Sequence, residues 1–394
     1  MSGLLEGIRV LDFGRYIAGP FCATLLADLG ADVIRVERPE GGEDRYTVPV
    51  TAEGEGAYHM QIGRNKKGMT LNPAKPEGQE ILRRLVATAD VVIVNLPPPA
   101  LKKLGLDYDS LRAIKPDIIL TMGSAFGSTG PYTSRGGFDT VAQAMSGAMY
   151  LSGTPGKPSK SFAPYCDFGT ASLSAFGTLA AIIHRMKTGE GQIVEASLLN
   201  TALTFNNAAL IEQSELQLCR EGTGTRGQYN APTDSYRTKD GWIMVQIVGG
   251  GLFKRWADMI GEDHWLSDER FATDQSRGDH GEIIGDRMRT WCEDRTNEQA
   301  LATLAGAGIP CGELLSPQEV LENEHVVGSE AFQPVDYPGL PLPAPLARHP
   351  VRYSETPVDD FARAPLLGEH TDAIMAELGF GAEEIAKLRG LRII

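Results

Sequence analysis

The sequence predicts a doubly wound α/β protein with a second, smaller α/β domain. Three observations predict it. A strand–helix–strand unit lies within residues 7–37. The same alternation of β-rich runs and helical periodicity continues to about residue 122. Near residue 219 the texture turns Gly-rich and polar, and a fresh set of strand and helix signals begins. At ~150 residues per domain, 394 residues imply two to three domains, enough for a real core.

The elements follow in order. Gly7 to Phe13 reads as a strand. Pro20 stands where a helix starts and Gly30 where it stops, with Phe21, Leu25 and Leu26 between. Ala31 to Glu37 is the second strand, and a strand–helix–strand unit this short implies parallel pairing. Gly68 to Asn72 is a short strand. Glu77 to Ala87 is a helix with Ile81, Leu82, Leu85 and Val86 on one face. Val91 to Asn95 and Asp117 to Met122 are buried strands. A long helix is expected from about Phe168 to Met186, then a strand from Gln192 to Ala196 and a helix from Leu198 to Leu216. Gly222 to Pro232 reads as a loop and Trp242 to Val248 as a strand. Helical stretches follow near 252–260, 283–294 and 297–306, with a short strand from Pro310 to Leu315. The dense prolines of 333–366 suggest an extended connector, and the residues from Leu367 make one more helical unit. The boundaries are therefore 1–218, 219–328 and 329–394.

Composition narrows the function. Hydrophobic residues are 42% and charged residues 22%, which is ordinary globular usage. Acidic residues outnumber basic ones, 51 to 37, for a net charge of −14, so nucleic acid and anionic membrane surfaces are poor partners. Cys22, Cys166, Cys219, Cys292 and Cys311 are sparse, odd in number and without a CxxC pair. They read as reduced thiols of a cytoplasmic protein. The first residues show no signal peptide, and no apolar run approaches the ~18 residues of a membrane span.

Several motifs have plain readings. Gly222-Thr-Gly-Thr-Arg-Gly227 matches GxGxxG, but Gln-Tyr-Asn-Ala-Pro follows instead of a helix, and the first strand–helix turn, Gly14 to Pro20, lacks the fingerprint. A nicotinamide oxidoreductase is thereby disfavoured. No two histidines stand at i, i+3 or i+4, and no HExxH occurs, so no metal site is expected. Asp167 has two compatible readings. It is placed to cap the long helix, and a carboxylate there sits among free N–H groups that keep it ionised, so it is also a standing nucleophile.

A run of collinear motifs then carries a resemblance. Leu5-Glu-Gly-Ile-Arg-Val-Leu-Asp-Phe13, Ala18-Gly-Pro20 and Leu29-Gly-Ala-Asp-Val-Ile-Arg-Val-Glu-Arg-Pro39 open it. Asn65-Lys-Lys67, Val94-Asn95, Leu104-Gly-Leu106, Phe126-Gly-Ser-Thr-Gly-Pro-Tyr132 and Ala142-Gln-Ala-Met-Ser-Gly147 follow. Lys187-Thr-Gly-Glu-Gly-Gln192, Gly308-Ile-Pro-Cys311 and Leu367-Gly-Glu-His-Thr-Asp372 close it. From end to end the sequence resembles the class III CoA-transferase family, also called the carnitine dehydratase and bile-acid-inducible family, with formyl-CoA transferase among its members.

The resemblance implies a Rossmann-like large domain built from both chain ends, a small domain inserted between, and an interlocked homodimer. It implies CoA transfer from an acyl-CoA to a carboxylic acid, through an acyl-aspartyl anhydride and an aspartyl-CoA thioester on Asp167. CoA is then a substrate, and no tightly bound cofactor is expected. The implied CoA contacts are Ile17, Ala18, Arg38, Leu71, Asn72, Asn95, Leu96 and Lys103, the last standing where the family often has an arginine near the phosphates. Asp139 is expected near Asp167, helping to hold the acceptor, or else capping the helix from Thr140. Gly222, Gly224 and Gly227 correspond to a glycine loop that covers the intermediate. The alternatives are an α-methylacyl-CoA racemase and a non-catalytic CoA-binding protein. The racemases carry Gly-His-Asp where this sequence has Gly137-Phe-Asp139.

Overall fold

The structure, a computed structural model, describes residues 3–358 and 360–394. Six strands, β1 (Arg9–Asp12), β2 (Asp32–Glu37), β3 (Lys66–Thr70), β4 (Val91–Val94), β5 (Ile119–Ser124) and β6 (Ile193–Ser197), form one parallel sheet. Their order is β3-β2-β1-β4-β5-β6. The chain winds outward from β1 to β3, then returns to β4 and winds the other way. The carboxyl ends of β1 and β4 therefore diverge into a crevice, the usual ligand position of such a sheet.

The sequence explains the layers. Val91 to Val94 are buried on both faces. Val91 and Ile93 join helix α1 (Ala18–Asp28), while Val92 and Val94 join the opposite layer. A central parallel strand covered on both sides has no polar alternation to show, and each such side chain stabilises the fold by about 1.5–3 kcal/mol. Short helices escape the sequence reading: α2 (Ala57–Gly63), then, beyond α3 (Pro76–Ala87), α4 (Pro98–Leu104) and α5 (Tyr108–Ile114). In α4 the proline segment is itself the helix start, because proline in the first turn gives up no hydrogen bond.

After β5 come α6 (Asp139–Met145), the single turn α7 (Ala148–Ser152) and the long helix α8 (Tyr165–Thr188). Helix α8 begins three residues before the expected Phe168. It is also long and apolar enough by length and composition to cross a membrane, with a mean hydropathy of 1.4, which corrects the expectation that no run comes near that limit. Small residues carry that hydropathy. Ala171, Ala175, Ala181 and Ile182 are buried in the cluster that packs α1 against the sheet, as a core helix would be. The expected helix 198–216 breaks at Asn206 into α9 (Leu198–Phe205) and α10 (Asn207–Leu216).

The chain divides into two compact units, one of residues 1–146, 162–211 and 328–394, the other of 147–161 and 212–327. The second contains an antiparallel sheet of β7 (Thr233–Arg237), β8 (Trp242–Gln246) and β9 (Cys311–Glu313), packed on helices Gly250–Ile260, Gly281–Glu293 and Asn297–Gly306 around Trp256, Tyr236 and Phe271. In the first unit, the expected connector contains an antiparallel ribbon, β10 (Phe332–Val335) with β11 (Ala344–Ala347), where Pro334 faces Pro345. A two-stranded ribbon has only edges, so missing N–H donors are tolerated. The closing helices Thr371–Glu377 and Ala382–Gly390 send Ile374, Met375 and Leu388 into the core beneath β1 to β4, and Ile393 joins them from the segment after the last helix.

Candidate active site

The first turn after β1 lies at the sheet's switch point, and side chains hold Gly14, Arg15 and the Tyr16 N–H in succession. Gly14 N–H donates to Asp12 Oδ1 at 2.9 Å, and the Arg35 guanidinium donates to the Gly14 carbonyl. Asn95, just past β4, clamps the next residue from both sides: Arg15 N–H donates to its Oδ1 at 2.6 Å, and its Nδ2 donates to the Arg15 carbonyl at 2.7 Å. Tyr16 N–H donates to Asp44 Oδ2 at 3.2 Å, and Tyr16 has the left-handed φ of +58°. A buried charge cluster anchors these clamps. Asp12 takes Lys66 Nζ at 2.9 Å, and Asp44 takes Arg35 at 2.6 Å. Burial pushes the Asp12 carboxyl upward, but Lys66 and Arg35 overcome it and hold the group below the usual range.

A pocket of about 290 Å³ opens beside this turn at the carboxyl ends of the strands. Arg38, Leu71, Asn72 and Leu96, singled out by sequence, line it together with Arg15 and Ala100. Arg38 is half-exposed and, among the described residues, its ion pairs are loose contacts of 3.9 Å to Glu40 and Glu43. The other expected contacts are placed differently. Lys103 is exposed on α4 and is not among the lining residues, since at this helical spacing Ala100 and Leu104 face the pocket. Ile17 and Ala18 are buried at the start of α1, so only their backbone could meet a ligand. The Asn95 side chain is spent on the turn and is a clamp, not a free ligand.

Asp167 lies where α8, α6 and the start of α1 converge, above a small apolar cluster that includes Ala18, Ala142, Cys166 and Leu198. The helix boundary corrects the capping reading. Pro164 is the N-cap and Asp167 is the third residue of the helix, with its side chain free of capping. The cap comes from another helix. Asp139, 7% exposed, accepts the N–H groups of Cys166 at 2.7 Å and Asp167 at 3.1 Å, and the Gln143 amide also donates to it. Asp139 therefore does not cap its own helix, whose N-cap is Phe138.

The first-turn N–H groups of α8 are not free: Tyr165 and Phe168 donate to Ala163 and Pro164 carbonyls, and Asp139 takes the two between. Nor is Asp167 held ionised by the helix terminus. Burial, with Asp139 adding to it, pushes its carboxyl up to about 7. Neighbouring Cys166 is no rival nucleophile, because burial and Asp139 push its thiol up to about 12.

Sequence reasoning missed Tyr58. It lies on α2, partly exposed, and its phenol is pushed up by burial and by both Asp139 and Asp167, which puts it within their electrostatic reach. No spacing in the sequence marks it. Aromatic pairs flank the carboxylates: Tyr16 meets Phe138 edge-on at 5.2 Å, and Phe21 meets Phe168 at 4.9 Å. Gly222, Gly224 and Gly227 lie in the second unit. A side chain on Gly222 would collide with the Gly153 carbonyl, Gly224 has φ +69° and donates to the same carbonyl, and Gly227 is pressed against Asn230. β7, not a helix, follows them, so the GxGxxG match is not a nucleotide loop. Among the described residues no group of three or more His, Cys, Asp or Glu could hold a metal ion.

Fold and site define an open α/β enzyme with a ligand pocket at the sheet's switch point and a pair of carboxylates, Asp139 and Asp167, where α6 meets the start of α8. The chain belongs to CoA-transferase family III, whose profile matches residues 5–371, and it is a class III CoA-transferase. It is 32% identical to succinyl-CoA–D-citramalate CoA-transferase of Chloroflexus aurantiacus, over 99% of this chain and 98% of that one. It is 34% identical to succinate–glutarate CoA-transferase of Agrobacterium fabrum, over 95% of each chain. A CAIB/BAIF family protein from Brucella suis has the same fold, with a TM-score of 0.83 at 32% identity, covering 96% of this chain and all of that one.

Proposed function

We propose that the protein moves CoA between carboxylic acids through covalent catalysis on Asp167. The observation that carries this is the Asp167–Asp139 pair, because burial beside a second carboxylate leaves Asp167 poorly solvated once it is ionised. Once ionised, such a carboxylate is more nucleophilic than a solvated one. Asp167 attacks the thioester carbonyl, the C–S bond breaks, and CoA leaves as the thiolate. The thiolate then attacks the aspartyl carbonyl of the anhydride. The first acid leaves as its carboxylate, and an aspartyl-CoA thioester remains. The acceptor carboxylate attacks that thioester and releases CoA thiolate again. Thiolate attack on the acceptor's acyl carbon forms the new acyl-CoA and restores Asp167. One thioester replaces another, so no ATP is consumed.

Arg38 and Arg15 at the pocket rim suit the CoA phosphates, with Lys103 as an outer charge. Matching relatives are named for succinyl-CoA paired with malate, citramalate, mesaconate or glutarate, so succinyl-CoA is the first donor to assay. Exposed Phe176, Ile183 and Met186 on α8 support burial of that face against a second copy. Five unpaired cysteines fit a reducing cytoplasm.

Transfer is favoured over racemisation because the latter needs an acid and a base on opposite faces of the α-carbon. Phe138 replaces the histidine. His184 is exposed about 25 Å along α8 from Asp167. His59 is buried against Arg45 and the Pro365 carbonyl, where burial holds it neutral. Hydroxylamine added with acyl-CoA should leave a hydroxamate on Asp167, read by peptide mass. Full turnover by Asp167→Ala would sink the nucleophile. Rapid α-deuterium uptake by a 2-methylacyl-CoA without acceptor acid would favour the racemase.

A further inference from the structure

We propose that Tyr16 sets the size of the acid this enzyme accepts, acting as a specificity-determining wall that the pinned turn holds in place. The inference rests on the transfer reading above and deepens it.

The first observation is strain. Tyr16 is an aromatic residue at φ +58°, a conformation that bulky side chains avoid and that glycine occupies freely. Such strain persists only where the surroundings over-determine it. They do so here: Asp12, Arg35, Asn95 and Asp44 hold both backbone groups of Gly14 and Arg15 and the N–H of Tyr16, so the turn is fixed up to the strained residue. A turn needing only this backbone shape would be met by glycine at position 16. A tyrosine there points to a use for the ring.

The second observation is where the ring goes. It meets Phe138 edge-on at 5.2 Å, and Phe138 directly precedes Asp139, whose carboxylate binds the Asp167 N–H at 3.1 Å. The ring therefore spans from the sheet's switch point to the residue beside the carboxylate pair. Its hydroxyl makes a long contact of 3.4 Å to Glu43, so that end contributes little. Phe138 is 59% exposed, leaving an apolar surface uncovered on the carboxylates' doorstep. An acyl chain on Asp167 would extend past this pair, and its length decides whether it collides with it.

The test is a panel of straight-chain mono- and dicarboxylic acids of increasing length with one acyl-CoA donor, comparing kcat/KM. Tyr16→Gly removes the ring and fits the backbone, so the variant should fold. It should raise the ratio of long to short acids about tenfold or more, since a single methylene in an apolar pocket commonly changes selectivity by that much. Tyr16→Phe should keep the wild-type ratio. An unchanged ratio in an active Tyr16→Gly enzyme would overturn the proposal. So would loss of all acids alike in Tyr16→Gly, because the ring would then serve the chemistry and not the choice of acid. Failure of the wild type to transfer CoA to any acid would instead strike the transfer reading itself.

Discussion

Replacing Asp167 by asparagine should make the protein inactive and, at neutral pH, more stable. In the fold the carboxyl rises from an ordinary 3.8 to about 7, through burial first and then Asp139. At 1.36 kcal/mol per pH unit, ionising it in place costs at most about 4 kcal/mol, and the half-buried position brings this to about 2–4 kcal/mol. The direction follows from proton counting. Between pH 3.8 and 7 the folded protein keeps a proton that the unfolded chain releases, so the wild type loses stability as pH rises through that window. An amide does not titrate. The variant's advantage should be small near pH 4, grow through the window and level off above about pH 8. Asparagine also removes no cap, because Pro164 holds that position. Urea unfolding at several pH values, at one fixed protein concentration, measures the gap. A gap that does not change with pH, or a wild type more stable at pH 8, would refute the electrostatic account.

Other outcomes can be checked alongside. The rate of acyl-CoA attack should rise with pH through about 7, and Asp139→Asn should move that rise to lower pH, because the like charge is removed while the amide oxygen can still accept the α8 N–H groups. Arg38→Ala should raise KM for acyl-CoA about tenfold with little change in kcat, the low end for a charge-assisted contact, and Lys103→Ala should do less. Asn95→Ala removes both hydrogen bonds to Arg15 and should cost about 1–3 kcal/mol in unfolding free energy, a loss that Asn95→Ser should not restore.

The sheet was legible because doubly buried strands write themselves as apolar runs. Val91 to Val94 need no tertiary information to be read, and neither does the apolar face of helix α3, with Ile81, Leu82, Leu85 and Val86 at helical spacing. The short helices α2, α4 and α5 were hidden because one turn or two of polar and proline residues carry no period. At the site, the position of Asp167 was visible and its chemistry was not. A helix start suggests free N–H donors and an ionised carboxylate. The opposite holds here because Asp139, distant in sequence, takes the donors and adds its own charge. Asn95 shows the same limit. Its place at a strand end was readable, but the backbone it grips belongs to a different strand's turn. Tyr58 carried no signal, since only folding brings α2 within reach of the carboxylates.

The packing of Ile374, Met375, Leu388 and Ile393 under β1 to β4 bears on how this protein is made. The opening strands leave the ribosome roughly 300 residues before these partners, which at ~5–20 residues per second is about 15–60 s. During that interval Leu11, Ile34, Val92 and their neighbours have a partly open apolar face. The second unit, with its own closed cluster, can finish first. Newborn chains should thus depend on chaperone cover for their oldest segment, and a stalled or shortened chain should be lost from the N-terminal side.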